Sequence, residues 1–306
     1  MTPPGTADRP VLGVMLMLGF CAMAPLGDAS AKALGATMTL GQLLLVRFAI
    51  QAAVLAPVIV ATGGTFRMNG RLLRLTAIRT VLHIIGIGAM FTALQFLPLA
   101  DAIAIAFVMP FIMLLLGRFA LGEEVGRRRI AACAVGFTGT LMVVQPSFAE
   151  VGAPALLPLL VAVIFALFML VTRQMAKEVD PISLQAVSGA MATVLLGGLV
   201  LGLGDAVPKG FAMKWPDGAE WALLLAVGLL GTVAHLLMTW SLRFAPSATL
   251  APMQYLEIPF ATVVGWAAFG DLPNGLAAVG ILVTIAAGLY IIWQEQTTHR
   301  AEYENI

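Results

Sequence analysis

The sequence predicts an all-α integral membrane protein: ten transmembrane helices forming two inverted five-helix repeats, 1–147 and 148–306. Three observations predict it. Hydrophobic residues make up 60% of the 306 residues and charged residues only 11%, against roughly 25% charged in soluble domains. The apolar residues fall into ten runs, each near the roughly 20 residues that a helix needs to cross the hydrocarbon core. The second half echoes the first at a shift of about 148 residues. The same composition excludes disorder, a collagen-like repeat and a disulfide-stapled secreted module. A net charge of +1 supplies no basic face, so no nucleic-acid partner is expected.

The runs are 11–31, 39–61, 72–97, 99–119, 128–146, 154–175, 182–203, 220–244, 248–269 and 276–294. They do not alternate as barrel strands must, which leaves helix as the spanning structure. The first ends near Ala29-Ser30-Ala31, which looks like a signal-peptide cleavage site. Its flank is weak, with Arg9 offset by Asp8, and the sixth run needs it as a repeat partner, so it is read as a true span. Thr62-Gly63-Gly64 separates the second run from the third, Leu97-Pro98 the third from the fourth, and Pro146-Ser147 closes the fifth. Asp180-Pro181 precedes the seventh, Ala245-Pro246 the ninth and Leu272-Pro273 the tenth. The longest connection, 204–219, holds Asp205, Lys209, Lys214 and Asp217, and no soluble domain is left over.

Orientation follows from Lys and Arg in the short loops. With the N-terminus in the cytoplasm, twelve fall inside (Arg9, Arg67, Arg71, Arg74, Arg118, Arg127, Arg128, Arg129, Arg173, Lys177, Arg243 and Arg300). Three fall outside, Lys32, Lys209 and Lys214, and Arg47 and Arg79 lie within spans. Both termini are expected on the cytoplasmic side of a bacterial inner membrane.

Leu94-Gln95-Phe96-Leu97-Pro98 matches Leu242-Arg243-Phe244-Ala245-Pro246 at a shift of 148, and Gly122-Glu123 falls on Gly270-Asp271. Leu116-Gly117 lies near Val264-Gly265, Ala31-Lys32 matches Ala176-Lys177, and Gln42 falls near Gln185. Five spans per half is an odd number, so the second half enters the membrane upside down. Inverted repeats of this kind build secondary transporters, with the site near the midplane between the halves.

Pro-Phe late in the fourth and ninth spans, followed by Leu121-Gly122-Glu123 and Phe269-Gly270-Asp271, resembles the drug/metabolite transporter superfamily, EamA type. Arg47-Phe48 and Leu256-Glu257-Ile258-Pro259 match as well, and the resemblance covers about residues 11–294. Asp271 where Glu is usual and Met109 in place of Glu before Pro110 depart from the pattern. The resemblance implies export of amino acids and other small metabolites across the cytoplasmic membrane. Within the family it resembles the YddG-like exporters of aromatic and other neutral amino acids.

An ionised side chain at bilayer depth costs roughly 2.5–3.5 kcal/mol, so such residues turn inward. Glu257, ten residues into the ninth run, has two readings. It binds a substrate ammonium group or carries a coupling proton; or it accepts hydrogen bonds near Pro259 and only holds helices together. Gln254 and Tyr255 share its neighbourhood, and Tyr255 lies deep rather than in an interfacial belt. His83 precedes Pro98 by fifteen residues and His235 precedes Pro246 by eleven, a difference of one helical turn. The two imidazoles should therefore approach the midplane from opposite halves, as cavity lining or proton relay, or as satisfied interhelical hydrogen-bonders. Gln95 and Trp240, towards the ends of the same helices, are expected to add an amide and a stacking surface. The candidate substrate-binding set is His83, Gln95, His235, Trp240, Gln254, Tyr255 and Glu257.

Asp28 and Asp101 read as solvated carboxylates near the outer ends of their spans, with Arg47 and Arg79 snorkelling or pairing with such acids. Arg127-Arg128-Arg129 reads as a topogenic, headgroup-contacting cluster. Pro25, Pro110, Pro252 and Pro259 permit kinks, and Gly136/Gly139 and Gly228/Gly231 permit close helix approach. Cys21 and Cys133 are expected as free buried thiols, and His83, His235 and His299 lack ligand spacing, so neither metal nor cofactor is expected.

No P-loop is present, which excludes direct ATP drive by this chain alone, and no G-x-S-x-G elbow supports hydrolysis. Glu123-Glu124 adjoins an arginine cluster rather than forming a cation site. The chain therefore reads as a secondary transporter rather than an enzyme, working by alternating access on a small-molecule substrate, an amino acid or related metabolite. Membrane lipid is its solvent and protons are a candidate coupling ion. Export of other amphiphilic metabolites or drugs is the alternative, ahead of an intramembrane lipid-modifying enzyme.

Overall fold

Runs too apolar for water must satisfy every backbone group within themselves, and the chain does so with helices. A computed structural model describes residues 10–62, 68–109, 111–112, 116, 127–176, 178–203, 209–244 and 250–303. Ten α-helices have defined bounds among these residues, further α-helical residues lie at 109, 111–112, 116 and 250, and no strand is present among them. They are α1 (Pro10–Leu34), α2 (Leu40–Ala61), α3 (Gly70–Ala93), α4 (Leu99–Ala106), α5 (Arg127–Val151), α6 (Leu157–Met175), α7 (Pro181–Leu203), α8 (Gly218–Phe244), α9 (Glu257–Phe269) and α10 (Gly275–Tyr303). Short 3₁₀ turns cover Ala153–Leu156, Lys209–Phe211 and Ala251–Leu256. Among the described residues six stretches are long and apolar enough to cross a membrane: α1, α2, α3, the unit Ala153–Met175, α7 and α8.

Local chemistry sets the helix starts. Thr39 Oγ1 accepts from Gln42 N at 3.3 Å, Asn69 Oδ1 from Leu72 N at 2.8 Å and Asn274 Oδ1 from Ala277 N at 2.9 Å. Each satisfies one of the first-turn N–H groups that a helix leaves open. Gly270, at φ 72°, closes α9 in the left-handed conformation that glycine adopts without a Cβ clash.

Three expected spans differ in form. The fourth, expected over 99–119, is interrupted after Ala106 by a turn at Phe107 and Val108, with α-helical residues again at Met109, Phe111, Ile112 and Leu116, and Pro110 lies outside the described residues. The ninth, expected over 248–269, begins as the 3₁₀ turn Ala251–Leu256 and becomes α only at Glu257. Pro259 is the third residue of α9, where its missing N–H deprives no turn of a bond, so the chain changes form before this proline rather than at it. The fifth runs through Pro146 to Val151 instead of closing there. The side chains of Arg127, Arg128, Arg129 and Cys133, and all of Leu121, Gly122, Glu123, Glu124, Lys177 and Pro246, lie outside what the structure describes.

The two halves interleave rather than stand as separate lobes. The extensive helix contacts are α1 with α8, α3 with α6, α2 with α7, and α5 with α10, and α4 packs on α9. Every one of these pairs joins one half to the other. Exchanging each helix for its counterpart five places on turns the α1–α8 contact into the α6–α3 contact and returns the remaining pairs to themselves.

Polar ties sit at both ends of α3. Beyond its C-terminus, Lys32 Nζ donates to Asp271 Oδ2 at 2.6 Å and to Leu97 O at 3.1 Å, so the last turn of α1 and the segments following α3 and α9 meet at one end. At its N-terminus, Arg71 donates to both carboxylate oxygens of Glu178 at 2.9 Å. That pair is exposed and contributes little to stability.

Close backbone approach is concentrated between α5 and α10. A Cβ on Gly280 would lie 2.5 Å from Gly139 O and 2.9 Å from Val143 Cγ2, and a Cβ on Gly139 would meet Thr284 and the Gly280 carbonyl. Overpacking of this kind costs about 1–3 kcal/mol. Gly280→Ala is therefore expected to lower the thermal midpoint of the detergent-solubilised protein, while Gly198→Ala, with nothing within 4 Å of the new methyl and a helix-interior position that favours alanine, leaves it unchanged or raises it. Equal midpoints for the two variants would refute the close approach.

Candidate functional site

A cavity lies where α1, α2, α3, α4, α6, α8 and the 3₁₀ turn before α9 converge. It offers about 100 Å³ to the centres of water molecules, room for roughly seven to ten at about 10–15 Å³ each. Most of its wall is apolar, with Phe20, Phe91, Phe107 and Phe165 supplying ring faces or edges. Five polar side chains interrupt that wall: Asp28, Arg47, His235, Gln254 and Glu257.

The sequence brings these groups together through the two interrupted spans. Phe107 follows the end of α4, and Gln254 belongs to the 3₁₀ turn before α9. Interrupted helices at equivalent places in two repeats are a recurrent way of exposing polar groups at membrane depth. The ring of Phe107 lies 5.2 Å from that of Tyr255, across the join between halves.

The charged members come from three elements: Asp28 from α1, Arg47 from α2 and Glu257 from the first position of α9. Arg47 Nη2 lies 3.3 Å from His235 Nδ1, which also lies 2.9 Å from Gly231 O. A guanidinium only donates, so the lone pair of Nδ1 faces Arg47 in one tautomer and its proton faces Gly231 O in the other. Gly231 makes room for this arrangement, since a Cβ there would sit 2.9 Å from Arg47 Nε.

Behind the cavity the polar series continues. The rings of His83 and His235 are 4.4 Å apart, as expected of two imidazoles approaching from opposite halves. His83 also packs on Phe48 at 5.2 Å and Phe168 at 4.8 Å. Arg79, fully buried, lies over Phe168 at 4.3 Å and donates to Thr172 Oγ1 and Ser188 Oγ, both at 2.9 Å. Gln51 donates to Gln185 O at 2.7 Å, and Gln185 donates to His235 O at 3.0 Å and Thr239 Oγ1 at 3.1 Å. This ladder ties α2, α7 and α8 together.

Of the seven candidate residues, His235, Gln254 and Glu257 line the cavity. His83 and Tyr255 stand in contact with that wall, His83 against His235 and Tyr255 against Phe107. Gln95 lies elsewhere, exposed in the turn between α3 and α4. Trp240 packs beside Leu55, Ile59 and Ala186 on the α2–α7 side. Both fall beyond the helical turns that converge on the cavity.

Asp28 corrects an expectation. Rather than a solvated carboxylate at the membrane surface, it is a cavity residue six positions before the end of α1. Asp101 is likewise buried, in the first turn of α4. Arg79 does not snorkel, because hydroxyls on α6 and α7 hold it inside. Nothing in the local spacing marks these partners, which come from the other half of the chain. Cys21 is free and buried, as expected. Among the described residues no group of His, Cys, Asp and Glu is placed to hold a metal.

Comparison with known proteins matches the model of the EamA-like transporter family twice, over residues 11–145 and 153–293. A riboflavin transporter of Rhizobium johnstonii is 34% identical over 222 residues, 72% of this chain and 71% of that protein. An S-adenosylmethionine uptake transporter of Rickettsia prowazekii is 23% identical, covering 92% of each chain. The pseudopaline exporter CntI of Pseudomonas aeruginosa is 25% identical over 90% of this chain and 93% of its own. A solved crystal structure superposes with a TM-score of 0.64 at 21% identity, covering 92% of this chain and 95% of that one, which is a likeness of fold.

The Arg79 cluster yields a stability test. Thr172→Ala or Ser188→Ala strands a buried guanidinium N–H, at a cost of about 1–3 kcal/mol. Arg79→Met removes the charge itself and leaves Thr172 bonded to Phe168 O and Ser188 to Thr80, so it is expected to cost less than either deletion. Denaturant unfolding in detergent measures the order, and a larger loss for Arg79→Met would contradict it.

Proposed function

The chain belongs to the EamA-like transporter family, and from that premise we propose a secondary transporter that carries a flat, amphiphilic metabolite, with riboflavin as the leading candidate. The observation that carries this reading is the cavity between the interleaved halves, where aromatic rings surround a few clustered polar groups. A lining of this kind suits a planar apolar body with polar edges. The name of the relative that is 34% identical adds riboflavin specifically.

The proposed mechanism is alternating access by two inverted five-helix repeats that meet near residue 147. The exchange of the α1–α8 contact for the α6–α3 contact supports it. Two arrangements related by swapping the halves bury similar surfaces and so lie close in energy. In the proposed topology both termini face the cytoplasm of a bacterial inner membrane. The twelve-to-three excess of inside Lys and Arg supports that orientation, as does the meeting of Lys32, Leu97 and Asp271 at one end. Glu257 and Asp28 are the proposed carriers of a coupling proton, with Arg47 balancing one carboxylate.

A second reading, transport of neutral or aromatic amino acids, draws on the same three charges. Asp28 and Glu257 face an ammonium group as readily as Arg47 faces a carboxylate, and a phenyl or indole ring fits among the phenylalanines.

Purified protein in liposomes separates the readings, with riboflavin, S-adenosylmethionine, phenylalanine and tryptophan assayed against empty vesicles. Riboflavin is expected to equilibrate faster than the others. A tryptophan rate above that of riboflavin would favour the second reading, and a panel that crosses no faster than in empty vesicles would sink transport. Glu257→Gln is expected to slow the transported solute by about 10- to 100-fold, the weight of one charge-assisted hydrogen bond, with the thermal midpoint preserved. Unchanged transport would make Glu257 a structural residue.

A further inference from the structure

The internal repeat exposes a difference between the two sides of the cavity. A shift of 148 residues sets Ala106 against Gln254, Phe107 against Tyr255 and Met109 against Glu257. Ala106, Phe107 and Met109 line the cavity from the first half, and Gln254 and Glu257 line it from the second. Position for position, the first half offers hydrocarbon where the second offers an amide and a carboxylate. The repeat duplicates the geometry but not the chemistry, so a bound molecule has a preferred way round.

Gln254 carries the most specific signal. It is 1% exposed, and neither its Nε2 nor its Oε1 has a hydrogen-bond partner among the described residues. Buried amide atoms are ordinarily partnered, and a side chain that lines a cavity with both atoms unanswered is poised for a ligand. The primary amide presents one acceptor and one donor side by side. The groups that satisfy both at once are a cyclic amide edge, with N–H beside C=O, or a ring nitrogen beside an exocyclic amine, as in the pairing of glutamine with adenine. Glu257, three residues on and just across the 3₁₀-to-α junction, lines the same cavity, where it can receive a further N–H or hydroxyl of the same molecule.

We propose that Gln254 and Glu257 form a polar-edge subsite for a heteroaromatic ring bearing adjacent donor and acceptor atoms, with Gln254 making the paired hydrogen bonds. The first-half residues Ala106, Phe107 and Met109 contact the ring's apolar remainder. This assignment rests on the transport reading and names the ring chemistry of its cargo. The isoalloxazine of riboflavin carries a cyclic imide edge, whereas the side chains of aromatic amino acids carry none. A site that answers both atoms of an amide discriminates strongly against an analogue that cannot pair with it.

The test is equilibrium binding of riboflavin and of riboflavin methylated at the imide nitrogen, read by flavin fluorescence with the full-length protein in nanodiscs. The wild type is expected to bind riboflavin about 10- to 100-fold more tightly than the methylated compound. Gln254→Met, which keeps the side-chain length, is expected to bring riboflavin down to the methylated level and to leave the methylated compound unchanged. Its thermal midpoint should hold or rise, because two unpaired buried atoms are removed. Equal affinity of the wild type for both flavins, persistence of the preference in Gln254→Met, or no flavin binding at all would each overturn the subsite. The liposome panel reports separately on transport, so riboflavin that crosses without discrimination removes the subsite and leaves the transporter.

Discussion

A lipid interior supplies no hydrogen bonds, so each polar group placed there must find its partner in protein. In this chain hydroxyls mostly return to carbonyls of their own helix, while several buried guanidinium and amide groups reach into the other half of the molecule. Arg79 of α3 is held by Thr172 of α6 and Ser188 of α7, Gln51 of α2 by Gln185 of α7, and Arg47 of α2 reaches His235 of α8. The interleaving of the halves is thus the condition under which the buried charge is tolerable, and the cavity forms where that interleaving leaves space.

Asp28, Glu257 and Arg47 face the cavity, while Arg79 lies behind the histidine pair. The interior is thus spatially divided, with Arg79 withdrawn from the cavity and Asp101 buried apart in the first turn of α4. Such a division lets a cargo group or a proton alter the balance locally without uncovering a bare charge elsewhere.

Much of this was legible in the chain. Helix placement followed from run length, and the meeting of His83 with His235 followed from their spacing to Pro98 and Pro246. Gln254 and Glu257 were found because polar residues at bilayer depth are costly unless they face inward. What could not be read was lateral: Gln95 and Trp240 sit on the expected helices or their ends, yet point to the rim and to the α2–α7 side. Asp28 was judged by distance from the apparent end of its apolar run, and α1 runs on to Leu34, so the position lies deeper than hydropathy implies. Lys32 and Asp271, 239 residues apart, share no local pattern that links them.

The pairing across halves also bears on how the chain is made. Synthesis runs from the N-terminus, so Arg79 enters the bilayer when neither Thr172 nor Ser188 has yet been translated. For the span of about a hundred residues that separates them, the nascent first half holds a guanidinium without the two hydroxyls that receive it in the folded protein. Final docking of that helix must therefore wait on the arrival of α7, which makes biogenesis of this fold a post-insertional assembly rather than a stepwise one.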